Sequence, residues 1–209
     1  MDILHPVELR VLGALLEKDI ATPEYYPLTL NSLQNACNQK SSRDPVVNYD
    51  EDTVAQALDL LKNKQLVMRV SGAGHRVEKY GHRLGEKLNL GRRELALLAV
   101  LMLRGPQTVG ELRGRTERMH DFADLEEVEH VLDTLQRHQP DPLVAPAGRG
   151  RWMHLFGDPA DVSAAESEHH AAAHSALPSQ GALEARVEAL EREVELLKQQ
   201  FEGFKRQFE

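Results

Sequence analysis

The sequence predicts a mainly α-helical fold with small β-hairpins, built from one unit used twice and followed by a long C-terminal helix. The first observation is a repeat. Each half opens on an apolar helix pattern, at Glu8-Leu9 and at Glu94-Leu95. A short Thr-led segment follows, Thr29-Leu30-Asn31-Ser32-Leu33 in one copy and Thr108-Val109-Gly110-Glu111-Leu112 in the other. Then comes a longer helix, with Val54, Leu58 and Leu61 matched by Val128, Leu132 and Leu135. The second observation is the end of each unit: Leu66-Val67 and Leu143-Val144 lead into Gly72-Ala73-Gly74-His75-Arg76 and Gly148-Arg149-Gly150-Arg151. Three helices and then a glycine-tipped hairpin is the order of a winged helix-turn-helix. The third observation is a heptad tail. Together they predict two tandem winged helix-turn-helix domains, residues 1–84 and 85–157, a flexible linker over 158–181 and a coiled-coil helix over 182–209.

Pro6 suits a first helical turn, and Leu9, Leu12, Leu15 and Leu16 form an apolar stripe, so the first helix is expected over about Pro6 to Glu17. Pro23 and Pro27 break the chain; Thr29 caps a short helix carrying Leu30, Leu33 and Cys37. A polar stretch, Asn38 to Pro45, precedes a third helix capped by Asp50 and running from about Glu51 to Lys64. Leu66 to Val70 and Arg76 to Tyr80 read as strands joined by a glycine turn, where positive φ is needed.

In the second copy Gly91 to Arg104 is apolar almost all round, the pattern of a deeply buried helix. Thr108 with Glu111 reads as a capping box, and Asp124 with Glu127 as a similar start. Trp152 and Phe156 are expected to anchor the return strand to the core.

The linker is Ala, Ser, His and Glu, too poor in apolar surface for a core. Its His169, His170 and His174 lack partner ligands at fixed spacing, so no metal site is expected. In the tail, Leu183, Val187, Leu190, Val194, Leu197, Phe201, Phe204 and Phe208 alternate four and three apart. That is the 3.5-residue repeat of a coiled coil, with valines at a and leucines at d favouring a parallel homodimer. An antiparallel pair, or a helix folded back on its own domains, stays open.

The net charge of −8 argues against indiscriminate coating of nucleic acid without excluding a local basic face. Cys37 is the single cysteine, so no intrachain disulfide forms and a buried apolar role is expected. No run approaches the roughly 18 apolar residues of a membrane span, and the first residues lack the pattern of a signal peptide. The expected location is a reducing cytoplasm.

One stretch is more specific than a pattern. Glu17-Lys18, then Thr22-Pro23-Glu24-Tyr25-Tyr26-Pro27-Leu28-Thr29-Leu30-Asn31, then Ala36-Cys37-Asn38-Gln39-Lys40-Ser41-Ser42-Arg43-Asp44-Pro45-Val46 closely resembles the bacterial YceH family. The resemblance covers about residues 3 to 157 and implies tandem winged-helix domains. It implies no biochemical activity.

Phosphate contacts need cations, and base readout favours Arg, Lys, Asn and Gln. From Arg69 to Arg93 there are seven Lys or Arg against two acids. Candidate nucleic-acid contacts are therefore Arg69, His75, Arg76 and Lys79 on the first hairpin, Lys40 and Arg43 in the polar loop, Thr53 and Gln56 on the third helix, and Arg149 and Arg151 on the second hairpin. The polar loop equally suits a hydrogen-bonded turn packed on Tyr25 or Tyr49. The third helices argue the other way. One begins Asp50-Glu51-Asp52, and Met119 to Asp133 holds six acids and no Lys or Arg.

Two readings follow. One is a DNA-binding, transcription-regulator-like homodimer contacting double-stranded DNA through the first hairpin and interdomain segment. The other is an assembly scaffold whose acidic third helix of the second domain takes a protein partner, a layout resembling kleisin-associated tandem winged-helix proteins. No phosphate-binding Gly loop, His-Glu-x-x-His helix or Gly-x-Ser-x-Gly elbow is present. An enzyme and a cofactor are therefore not expected.

Overall fold

The computed structural model describes residues 3–70 and 77–158. The chain is mixed α/β. Helix α1 (Pro6–Ala21) leads through a 3-10 turn (Pro23–Tyr25) to β1 (Leu28–Thr29), α2 (Leu30–Cys37), α3 (Glu51–Asn63), β2 (Val67–Val70) and β3 (Lys79–His82). The short α4 (Leu84–Leu88) links to α5 (Arg92–Arg104), β4 (Gln107–Thr108), α6 (Val109–Thr116), α7 (Leu125–Gln136), β5 (Val144–Pro146) and β6 (Arg151–His154). Two three-stranded antiparallel sheets result, ordered β1-β3-β2 and β4-β6-β5. The same topology thus appears twice in the same chain order.

Local chemistry sets the helix starts. The side chains of Thr29, Asp50, Thr108 and Asp124 accept from the backbone N–H groups of Ser32, Thr53, Glu111 and Glu127. Such caps contribute about 1 kcal/mol each. Thr108 and Glu111 complete a capping box. Glu127 does not: its carboxylate accepts from Ala123 N at 2.9 Å instead. Helix α1 has a box that the sequence pattern did not suggest, His5 with Glu8, and it runs a turn beyond Glu17 before Thr22 and Pro23 end it.

The first return strand differs from expectation. It begins at Lys79 rather than Arg76 and ends at His82. This register sets Val67 opposite His82 and Leu28 opposite Tyr80, so the apolar pair Val67 and Leu28 stays on the buried side. Gly81, on the other side, lets the Tyr26 hydroxyl approach and accept from His82 N at 2.6 Å. In the second hairpin the glycine turn lies where expected: Gly148, Arg149 and Gly150 all have positive φ between β5 and β6.

Helices α1 and α5 occupy the centre. Every residue from Arg10 to Leu16 and from Leu95 to Leu103 is buried. The two run antiparallel, with Gly13 against Met102 and Leu103, and the Ile20 carbonyl near Arg92. One hydrophobic core therefore continues through both repeats, within a compact unit over Met1–Ser163. The sequence division at residue 84 falls at the start of α4. The first described residues close the unit, since Leu4 N donates to Phe156 O at 2.7 Å and Lys64 Nζ binds Glu8 and the Ile3 carbonyl. No helix among the described residues is long and apolar enough to cross a membrane.

The heptad residues Leu183, Val187, Leu190, Val194, Leu197, Phe201 and Phe204 lie outside the described residues, with most of the linker. So do His75 and Arg76.

Candidate functional site

Each repeat places a cation at one equivalent position. The strand before the second helix pairs with the return strand of the hairpin, and its last residue is the helix-capping threonine. That register sets Thr29 opposite Lys79 and Thr108 opposite Arg151. Lys79 and Arg151 thus both stand beside a second-helix N-terminus, where unpaired N–H groups and the helix dipole favour anions. On the opposite strand face Tyr80 matches Trp152 and His82 matches His154, and these turn toward the core. His154 is buried, and burial lowers its pKa to about 4.

The two cations differ in their surroundings. Arg151 Nη1 donates to Pro106 O at 2.8 Å and lies 3.5 Å from Glu111 Oε2. No described residue pairs with the half-buried Lys79. Arg149 is exposed at the hairpin tip, in left-handed conformation between two glycines.

The remaining predicted residues divide. Lys40 and Gln56 are exposed. Gln56 shares the outward side of α3 with the exposed Asp52, Asp59 and Leu60. Thr53 is half-buried, with its N–H spent on the Asp50 cap. Arg69 is exposed but paired to Glu78 across the hairpin.

Arg43 is a correction. Its side chain is 0% exposed and 2.6 Å from Glu17 Oε2. It also donates to the Ala36 and Ser42 carbonyls and to Gln39. A guanidinium so enclosed cannot meet a phosphate. It fastens the polar loop to α1, and burial of Glu17 is outweighed by Arg43 and Lys18, which hold that carboxyl below the ordinary carboxylate range. The loop packs on Tyr49, whose N–H donates to Asn38 Oδ1 and whose carbonyl accepts from Asn38 Nδ2, both at 2.8 Å. Tyr25 is exposed instead.

The basic run from Arg69 to Arg93 is also largely engaged. Arg83 pairs with Glu86, and Lys87 Nζ donates to Lys64 O at 2.7 Å. Arg92 donates to the carbonyls of Ile20 and Met119, one in each repeat, and Arg93 pairs with Glu127. Of these, Lys87 and Arg92 tie the two halves together.

The sequence did not single out Arg115, which shares the Glu111 carboxylate with Arg151. Arg104 ends an apolar helix and reads there as a dipole-complementing terminus. Its pKa is pushed down by burial and then by the Arg115 and Arg43 charges. Glu111 lies between Arg115 and Arg151, and Thr108 and both arginines hold its carboxyl low against the opposing effect of burial.

On α7, Glu126 and Glu129 are exposed, whereas Glu127 is bound by Ala123 N and Arg93. A cavity of about 400 Å³ lies between the repeats, floored by Leu66, Leu88, Leu143 and Phe156. Its Lys87 and His138 both face backbone carbonyls, His138 those of Leu88 and Asp141. These polar groups brace the repeats rather than converge on the cavity. Among the described residues no three His, Cys, Asp or Glu side chains gather as metal ligands.

Comparison with known proteins gives the lineage. A "UPF0502 protein" of Opitutus terrae is 54% identical over 172 residues, 79% of this chain and 75% of its own. One of Citrifermentans bemidjiense is 56% identical over 165 residues, 77% of this chain and 76% of its own. One of Shewanella pealeana is 47% identical over 195 residues, 88% of this chain and 90% of its own. Residues 4–150 match the family model described as "Protein of unknown function, DUF480", and the chain belongs to that family.

Proposed function

We propose that the chain is a non-enzymatic DNA-binding protein of two winged-helix repeats, which holds backbone phosphate with its hairpin cations instead of reading bases with its third helices. The observation that carries this reading is the equivalence of Lys79 and Arg151, each opposite the capping threonine of a second helix. A cation beside a helix N-terminus is a favourable place for a phosphate oxygen. Arg149 extends the second position to its hairpin tip. The exposed acids of α3 (Glu51, Asp52, Asp59) and α7 (Glu126, Glu129) oppose insertion of either helix into a groove.

The test is an anisotropy titration of pooled genomic duplexes at two salt concentrations, on protein of measured mass. Lys79→Ala with Arg149→Ala should weaken binding and reduce the salt slope by about 1 to 2. Unchanged affinity in that variant refutes the hairpin contacts. The mass itself tests the homodimer expected from the heptads.

A second reading, a protein-binding module, is favoured by exposed Leu60 (50%) and Leu125 (47%) beside the acids of α3 and α7. It predicts no duplex affinity at moderate salt and loss of a co-purifying partner in Glu126→Lys with Glu129→Lys. Glu127 is left intact in that variant because it also holds the start of α7.

A further inference from the structure

The two hairpins share a register but not an outer edge. In the first, Arg83 N donates to Leu66 O at 2.8 Å, and Val67 stands opposite His82. Antiparallel ladders exchange hydrogen bonds at every second residue. Met68 and Val70 therefore bond to Gly81 and Lys79, while Val67 and Arg69 turn their backbone groups away from β3. His82 obeys the same alternation: its N–H points away from β2 and donates to the Tyr26 hydroxyl. In the second hairpin Leu155 N donates to Leu143 O at 2.9 Å and Ala147 N to Arg151 O at 2.8 Å. The outward residues of β5 are thus Val144 and Pro146. Counted from the valine opposite each histidine, Pro146 is the equivalent of Arg69. Proline has no N–H to offer and closes an edge to further strands. Arg69 leaves that donor in place. Strand β2 ends the order β1-β3-β2, and among the described residues no strand pairs with its outer side. Val67 is buried at the base of this edge, whereas Met68 is 41% exposed and Arg69 is exposed beside it.

We infer that the outer edge of β2 pairs with β2 of a second copy of this chain, antiparallel and about a twofold axis at Arg69. An open edge is matched by another extended backbone, which supplies donors and acceptors at the ladder spacing. The register singles out a second copy. Under twofold symmetry the central residue pairs with itself and exchanges both backbone bonds. Met68 and Val70 cannot be that centre, because their backbone groups are given to β3, and Val67 is closed off by burial. Arg69 remains. Centred there, Met68 stands directly opposite the partner's Val70, and Val70 opposite the partner's Met68. Residues directly opposite share a sheet face and pack together, so two apolar pairs form on the face away from Val67. The two arginines also meet, but each carries Glu78 as its own ion-pair partner. Two backbone bonds and two apolar pairs make a small contact, so the pairing is weak. It does not depend on whether the chain binds DNA.

The experiment is single-residue amide hydrogen exchange on the full chain, without nucleic acid, over about a hundredfold range of protein concentration. The amides of Met68 and Val70, bonded within the chain, report the fold, and that of Arg69 reports the edge. In the wild type, Arg69 exchange should slow by about tenfold or more towards the concentrated end, while Met68 and Val70 stay unchanged. Met68→Lys sets a charge against the partner's Val70 and should keep Arg69 at its dilute rate throughout, with the fold controls still protected. Met68→Ser decides in its place should Met68→Lys lose those controls. Slow Arg69 exchange at every concentration that the variant abolishes also supports the pairing, in a dimer that does not dissociate over that range. Fast exchange at every concentration overturns it and leaves the edge free or open to a different protein. Slow exchange that neither dilution nor the variant relieves overturns it by placing the partner strand within the chain. Concentration-dependent slowing that the variant leaves intact contradicts the register at Arg69.

Discussion

Gly13 of α1 lies so close to Leu103 of α5 that a Cβ built on it would stand 3.0 Å from Leu103 Cγ and 3.1 Å from Met102 Cβ. The missing side chain lets the central helices of the two repeats meet. A mid-helix glycine costs about 1 kcal/mol relative to alanine, so close packing has to offset that. Gly13→Val should destabilise the chain by about 2 kcal/mol or more through overpacking. Urea denaturation checks this, and a variant as stable as the wild type would contradict the helix pairing.

The Arg43–Glu17 pair should dominate the acid response of the first repeat. Burial raises the Glu17 carboxyl, but the Arg43 hydrogen bonds and charge, aided by Lys18, outweigh it and leave the pKa below the ordinary value. A carboxyl with a depressed folded pKa contributes stability above its unfolded pKa and loses it as pH falls through the folded one. Glu17→Gln should therefore cost about 3 kcal/mol at neutral pH, because it strands a buried guanidinium. The gap to the wild type should narrow on acidification. A pH-independent gap, or none, would count against the pair.

His154 gives a second pH signature, in the second repeat. Burial lowers its pKa from 6.5 to about 4, and its Nδ1 has no hydrogen-bond partner among the described residues. Between those values the unfolded chain binds the proton and the folded chain does not, so stability falls as pH drops through that window. His154→Leu should flatten this part of the Tm profile. A profile with the same slope as the wild type would show that His154 is not the group responsible.

Cys37 should be inert. Its thiol is 0% exposed, and burial pushes its pKa up to about 12 against the opposing pull of Arg43 and Arg10. Alkylation by iodoacetamide should be negligible in buffer and complete in denaturant. Rapid native labelling would mean that α2 does not pack as described.

What was legible in the sequence is what depends on near neighbours. The caps at Thr29, Asp50, Thr108 and Asp124 act on N–H groups three residues ahead, so their spacing betrays them. The buried character of α5 could be read from its unbroken apolar run. The two-residue strands β1 and β4 could not, because their partners lie far along the chain and neither has a pattern of its own. Arg43 misled for a similar reason. It sits in a polar stretch that resembles a surface loop, while Glu17, which neutralises it, is 26 residues earlier on α1.

Phosphate contact by the hairpin cations is tested most directly by the salt dependence of duplex affinity in the full chain. Two to four phosphate contacts give a log–log slope of roughly −2 to −4, and tight binding should appear at low salt. A flat dependence, or no duplex binding at low salt, would contradict it.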